Sequence, residues 1–178
     1  MGRDKATMPL DKKPLLQWAL DAAARESGNV LVAGPARPGI DARYIEDLSG
    51  YPPSSLLGLA SALDKATGEW QLVIGCDMPF VHSGLIDLLR KNANDGGAAA
   101  CWHNRIQPLP LLLPRSRALP EAMALLADNR FHLAALLDRL EPVVVSAEQV
   151  TLADSSGHSF FNINSRDDMD RAREILNR

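Results

Sequence analysis

A chain of 178 residues that is 46% apolar and 23% charged can bury one ordinary globular core, so a single domain over 1–178 is expected. Its formal net charge of −3, with no Lys/Arg-rich block and no interleaved aromatic platform, argues against nucleic acid as a partner. Cys76 and Cys101 lie in apolar stretches outside any CxxC or Cys/His spacing, which argues against a zinc site or disulfide framework and predicts buried thiols in a reducing cytosol.

The first residues, Met1-Gly2-Arg3-Asp4-Lys5-Ala6, are charged and carry no apolar h-region, so no secretory signal is predicted, and Ala6 stands where a myristoylation pattern wants Ser or Thr. Leu16, Ala19, Leu20 and Ala23 then recur at i, i+3, i+4, i+7 between Pro14 and Gly28, which predicts a helix over 14–26. The β-branched run 29–33, closed by Gly34-Pro35, and the run 43–46 predict two short parallel strands. Leu56, Leu59, Ala60 and Leu63 predict a helix over 56–66, and Trp70 to Cys76 reads as a strand buried on both faces.

Leu85, Ile86, Leu88 and Leu89 mark a further helix, and 97–102 a strand. Prolines 108, 110 and 114 confine the extended segment 107–113 to an edge or a bulge, and they also break the apolar stretch that might otherwise suggest a membrane span. Helices are predicted over 115–126 and 132–140, extended segments over 142–146 and 160–163, and a last helix up to Leu176 opened by the capping pair Ser165 and Asp168. Strands alternating with helices imply a three-layer α/β fold with a mostly parallel sheet, and there is no repeat or low-complexity linker at which to divide it.

Asp77 is the strongest chemical candidate, because an acid at the C-terminal end of a parallel strand sits where open α/β sheets place their ligands. A carboxylate there suits Mg²⁺, which takes one or two protein oxygens and completes its shell with phosphate and water; a turn or helix-capping acid is the plainer alternative. Glu46 and Asp47 are adjacent and point to opposite faces of an extended chain, so only one of them can enter a shared site. Lys5, close to Gly2, is a point charge suited to phosphate. Asn162 and Asn164 share one face, and amides there need partners. His82, His103, His132 and His158 are scattered without ligand spacing, and Ser54, Ser55, Ser155, Ser156 and Ser159 have no nucleophile-elbow context.

Taken together, Asp4-Lys5-Ala6, Cys76-Asp77-Met78-Pro79, Gln107-Pro108-Leu109 and Phe161-Asn162-Ile163-Asn164 resemble, in order, the motifs of the molybdenum cofactor guanylyltransferase family. The resemblance implies a Rossmann-like sheet of the nucleotide-diphospho-sugar transferase type and a cytoplasmic enzyme that transfers GMP from GTP to molybdopterin with loss of pyrophosphate. It further implies Asp77 as the Mg²⁺ ligand, Lys5 and Gly2 at the phosphates, Asp47 and Gly58 at the nucleotide, and Asn162 and Asn164 on the pterin side. Molybdoenzyme apoproteins or other cofactor-biosynthesis proteins are the partners it suggests.

The family's Gly-x-Asp-Lys-Ala motif follows a first strand and a Leu-Ala-Gly-Gly-x-Ser-x-Arg loop that cradles the triphosphate. Met1 coincides with a methionine inside that loop, so the resemblance implies a sheet without its first strand and a polypeptide of lowered activity. The strands on either side would then close together, admit another chain, or remain a less stable remnant. Two segments depart from the pattern: Pro53-Ser54-Ser55-Leu56-Leu57-Gly58 replaces Gly-Pro-Leu-Ala-Gly, and Ala33-Gly34-Pro35-Ala36-Arg37 replaces an asparagine-containing stretch. A cytidylyltransferase or sugar-nucleotide transferase of the same fold, and a non-catalytic binder of the finished cofactor, are the alternative readings.

Overall fold

The computed structural model describes residues 4–177, so the expectation for Gly2 lies outside the described residues. Asp4 caps a single 3-10 turn, Lys5–Thr7, its Oδ1 accepting from the Ala6 amide at 3.1 Å. A hairpin of two-residue strands follows, β1 (Pro9–Leu10) and β2 (Lys13–Pro14), and the chain enters helix α1 (Leu15–Glu26) directly from Pro14. Strands β3 (Leu31–Ala33) and β4 (Arg43–Ile45) pair in parallel, as their sequence predicts.

Helix α2 (Ser55–Lys65) is capped by Ser54, whose Oγ accepts from the Leu57 amide, and it delivers the chain to β5 (Trp70–Val73). Helix α3 (Ser83–Asn92), β6 (Ala98–Trp102), β7 (Arg105–Pro114), α4 (Arg115–Ala127), α5 (Leu133–Leu140), β8 (Val143–Val145), α6 (Ala147–Ala153) and α7 (Arg166–Leu176) complete the order. Among the described residues no helix is long and apolar enough to cross a membrane.

Strands β5 to β8 form one sheet in the order β5-β7-β6-β8, in which only β7 runs against its neighbours. The pleat divides its side chains between two helical layers. Ala99, Leu111 and Leu113 face α2, α4 and α5, whereas Ala98, Ala100 and Leu112 face α3 and α6. The three-layer arrangement follows directly from that alternation.

Several expectations need correction. Of the edge or bulge expected for β7 the structure shows the bulge: the strand is interior, and its prolines are tolerated where the register with β6 jumps between Ala98↔Leu112 and Ala100↔Gln107. Strand β5 is shorter than predicted and only half-buried, with Trp70 48% exposed, because β7 is its sole strand neighbour among the described residues. Segment 160–163 joins no sheet: a 3-10 turn ends at Phe160, and the amide of Ile163 bonds the main-chain oxygen of Asp77 at 3.0 Å. The cysteines are not buried either, Cys76 being exposed and Cys101 partly so.

Strands β3 and β5 do not pair with each other among the described residues. Two helices span the interval instead. On one side α1 packs Leu16 and Leu20 against Val32 of β3 and Ala22 into the cluster containing Leu72. On the other, α2 lies against Ala33 at Gly58 and shares its apolar core with Val73.

Candidate active site

Strand β5 ends at Val73, and the turn that follows carries Gly75, Cys76 and Asp77 out at the C-terminal end of the strand. The Asp77 carboxylate folds back over Gly75: a methyl group added to Gly75 would stand 2.7 Å from Asp77 Oδ1 and 3.1 Å from the Met78 side chain. Glycine is therefore needed here for side-chain placement, a requirement that Ile74-Gly75-Cys76-Asp77 does not announce in sequence. The Asp77 main-chain oxygen meanwhile holds Ile163, which is buried, so that Asn162 and Asn164 both emerge on the exposed side.

The Lys5 ammonium reaches the same place, donating to Asn164 Oδ1 at 2.8 Å. Lys5, Asp77, Asn162 and Asn164, drawn from the beginning, middle and end of the chain, are thus brought together. Beside them the Asp4 Oδ2 accepts from Arg37 Nε at 2.7 Å, and the Arg37 side chain is only 15% exposed. Arg37 escaped the sequence reading because a lone arginine after Gly34-Pro35 carries no motif; its one signal is its place just beyond a parallel strand.

Asp47 lies apart from this group on the other side of loop 34–37, at an open recess of about 440 Å³ lined by Gly34, Pro35, Ala36, Tyr44, Glu46 and Asp47. Both acids of the Glu46-Asp47 pair are exposed and both line the recess. Gly58 packs α2 against this corner, where an added methyl group would meet Ala33 Cβ at 3.4 Å and the Asp47 carboxylate at 4.0 Å, ordinary van der Waals range, so an alanine would fit. Ser54, one of the residues departing from the resemblance, serves as the cap of α2.

Cys76 adjoins Asp77 but is a poor nucleophile. Protein mass crowds its exposed edge, and that burial, reinforced by the Asp77 carboxylate, raises its thiol above the ordinary cysteine range despite the opposing pull of Arg37. No cluster of three or more His, Cys, Asp or Glu suited to a metal occurs among the described residues. A second recess, about 320 Å³ between α1 and segments 79–82 and 154–158, holds none of the candidate residues. Its charges are internally answered, Lys13 by Asp21 and Asp154 by hydrogen bonds from Ser156, Gly157 and Ser159.

A strip of complementary chemistry therefore runs along one edge of the fold. It comprises a recess walled by backbone and two carboxylates, the Arg37–Asp4 pair, the Lys5–Asn164 contact, and Asp77 with the two asparagines that flank Ile163. Such an edge can hold a polar planar group at one end, a chain of phosphates beside two cations, and a second polar ligand at the other end.

Comparison with known proteins identifies the family. A family described as the MobA-like NTP transferase domain matches residues 1–149. The molybdenum cofactor guanylyltransferase of Aliivibrio salmonicida is 26% identical over 185 aligned positions, covering 98% of this chain and 89% of that protein. Molybdopterin-guanine dinucleotide biosynthesis protein A from Archaeoglobus fulgidus superposes with a TM-score of 0.77 at 24% identity, over 99% of this chain and 92% of that one. The 2-C-methyl-D-erythritol 4-phosphate cytidylyltransferase of Thermus thermophilus does so with a TM-score of 0.71 at 19% identity, over 98% and 94%, and so shares the fold.

Proposed function

The chain belongs to the MobA-like NTP transferase family, and from that premise we propose that it transfers GMP from GTP to molybdopterin, in the cytoplasm, releasing pyrophosphate. The observation that carries this reading is the convergence of Lys5, Asp77 and Asn164 through the Lys5–Asn164 and Ile163–Asp77 hydrogen bonds. It sets a cation, a carboxylate and two exposed amides around one place, as an enzyme joining two phosphate-bearing substrates requires.

In the reaction the terminal phosphate oxygen of molybdopterin attacks the α-phosphorus of GTP in line. A new P–O bond forms, the bond from the α-phosphorus to the bridging oxygen breaks, and pyrophosphate leaves with that electron pair. The attacking phosphate is already ionised near neutral pH, so the protein needs no strong base. Its task is to align two anions and offset their repulsion. Lys5 does this at the phosphates. Asn162 and Asn164 supply donors and acceptors to the acceptor's polar ring edge, and Asp47 and Glu46 present carboxylates to the N–H edge of guanine.

The donor set at Asp77 fits Mg²⁺, because a single carboxylate at a phosphate site is the mode in which this ion binds, with the nucleotide's own oxygens and water completing the octahedron. When bound there it supplies charge neutralisation at the α-phosphate. Asp77 itself is held ready by its fold over Gly75 and by the anchoring of its backbone to Ile163.

The test is pyrophosphate release by the purified chain with molybdopterin, Mg²⁺ and each of GTP, CTP and UTP. Release with GTP alone is expected. Release with CTP in preference to GTP would replace the guanylyl reading with a cytidylyl one. Tight molybdopterin-dinucleotide binding without any release would make the chain a binding protein.

A further inference from the structure

Arg37 belongs to none of the motifs assigned above, yet it occupies the middle of the strip. Its own loop, 34–36, forms a wall of the Asp47 recess, and its guanidinium, bonded to Asp4, lies close enough to Cys76, the neighbour of Asp77 in sequence, for its charge to act on that thiol. The hydrogen bonds it makes are Nε to Asp4 Oδ2 at 2.7 Å and Nη1 to the Pro35 main-chain oxygen at 3.0 Å. A guanidinium is a planar fork of donors, and these two contacts leave Nη2 and one Nη1 hydrogen without protein partners among the described residues.

An arginine that served only to fasten the loop would be expected to engage its carboxylate with both arms, the geometry that gives the most from an Arg–Asp pair. Here Asp4 cannot offer both oxygens, since its Oδ1 is committed to capping the Lys5–Thr7 turn. The pairing therefore engages Arg37 through Nε and leaves Nη2 without a protein hydrogen bond among the described residues.

We infer that Arg37 is a phosphate-contacting residue of the nucleotide site, its free Nη face engaging the triphosphate between the base in the Asp47 recess and the metal-bound phosphate at Asp77. The inference rests on reading this edge as a nucleotide site. Asp4 acts as its positioning residue, holding the guanidinium at a fixed angle and competing weakly with the incoming phosphates.

Binding of guanosine, GTP, CTP and inorganic tripolyphosphate to the wild-type chain, Arg37→Ala and Arg37→Lys, measured by calorimetry, tests it. The wild type is expected to bind tripolyphosphate. Arg37→Ala should weaken tripolyphosphate and GTP alike by about tenfold or more while leaving guanosine unchanged, as for the loss of a charge-assisted contact. Arg37→Lys, which keeps the charge but not the fork, should fall between. Equal weakening of guanosine and GTP, no weakening at all, or no tripolyphosphate binding by the wild type would each overturn the inference. Arg37-dependent tripolyphosphate binding with no preference for GTP over CTP would overturn the guanine reading and leave Arg37 in its role. Should Arg37→Ala not fold, Asp4→Asn decides: tighter tripolyphosphate binding supports the inference, and unchanged or weaker binding overturns it.

Discussion

The Lys5 ammonium donates to the Asn164 carboxamide at 2.8 Å, joining positions 159 residues apart in sequence. A contact of this separation on an exposed edge adds little to stability, so its value lies in placing the ammonium. Replacing Lys5 with Ala should lower the rate of pyrophosphate release by about a hundredfold, the scale seen when one charge-stabilising donor is removed. Asn164→Ala should cost less and act mainly on the KM for the acceptor. Because the two residues touch, the double variant should lose less than the product of the single losses. Steady-state kinetics of the four proteins would show additive losses if the contact had no functional weight.

Gly75→Ala puts a methyl group 2.7 Å from Asp77 Oδ1, and the carboxylate can escape only by rotating away. Since a flexible side chain gives way and not backbone, the fold should survive. The melting temperature is expected within about 4 °C of the parent, an effect below about 1 kcal/mol. Activity should nevertheless fall by about a hundredfold, as for an ångström-scale misplacement of a reacting group. Rising Mg²⁺ should restore part of it for Gly75→Ala and none for Asp77→Ala.

Asp154 is 5% exposed and accepts from Ser156 Oγ at 2.6 Å, Gly157 N at 3.1 Å and Ser159 N at 3.0 Å. Truncation to alanine strands the Ser156 hydroxyl and the buried Ser159 amide, the Gly157 amide keeping its bond to the Asp154 main-chain oxygen, and should cost about 1–3 kcal/mol. For a chain of this size that is a drop of roughly 3–10 °C in melting temperature. Burial alone would raise this carboxyl, but the hydrogen bonds from Ser156 and Ser159, aided by His82, outweigh it and bring it below the usual carboxylate range. A carboxyl that titrates lower when folded than when unfolded adds stability above its unfolded value of about 3.9 and loses it as pH falls through the folded value. The difference in stability between wild type and Asp154→Ala should thus be constant from neutral pH to about pH 5 and shrink below about pH 4.

Gly157 has φ near +66°, and a side chain there would collide with the six-membered ring of Trp102, itself stacked on Phe160 at 5.6 Å between centroids. Gly157→Ala combines the strain of a left-handed backbone with displacement of a large ring. It should destabilise by about 2–4 kcal/mol, read by urea denaturation, with Trp102 fluorescence reporting the moved indole.

How much of this was legible in sequence depends on whether the signal was local. The apolar spacing of Leu16, Ala19 and Leu20, and the Ser165–Asp168 capping pair, describe interactions within a few residues, and both appear as read. The capping box of α6, Ser146 with Gln149, was equally local but went unread because the seven-residue helix buries only Val150 and so shows no periodicity. Prolines 108 and 110 signalled an irregular strand correctly yet could not say that β7 would lie between β5 and β6, since position within a sheet is set by distant partners. Within the site, Asp77, Lys5 and the two asparagines stood in recognisable motifs. Gly75 and Arg37 matter only through what they face, which no spacing along the chain reveals.

The interval between β3 and β5, bridged by α1 and α2 and not by ladder hydrogen bonds, divides the molecule's cooperativity. The β3–β4 pair depends on side-chain packing and side-chain hydrogen bonds for its tie to the remainder, whereas β5 to β8 share a continuous ladder. Amide protons of Val32 to Ile45 should therefore exchange through a lower-energy opening than those of Ala98 to Leu113, with the Asp47 recess carried along in that opening. A nucleotide that reaches from Asp47 to Asp77 would close the two units into one, so that binding should be read most clearly as slowed exchange in β3 and β4, well away from the atoms that react.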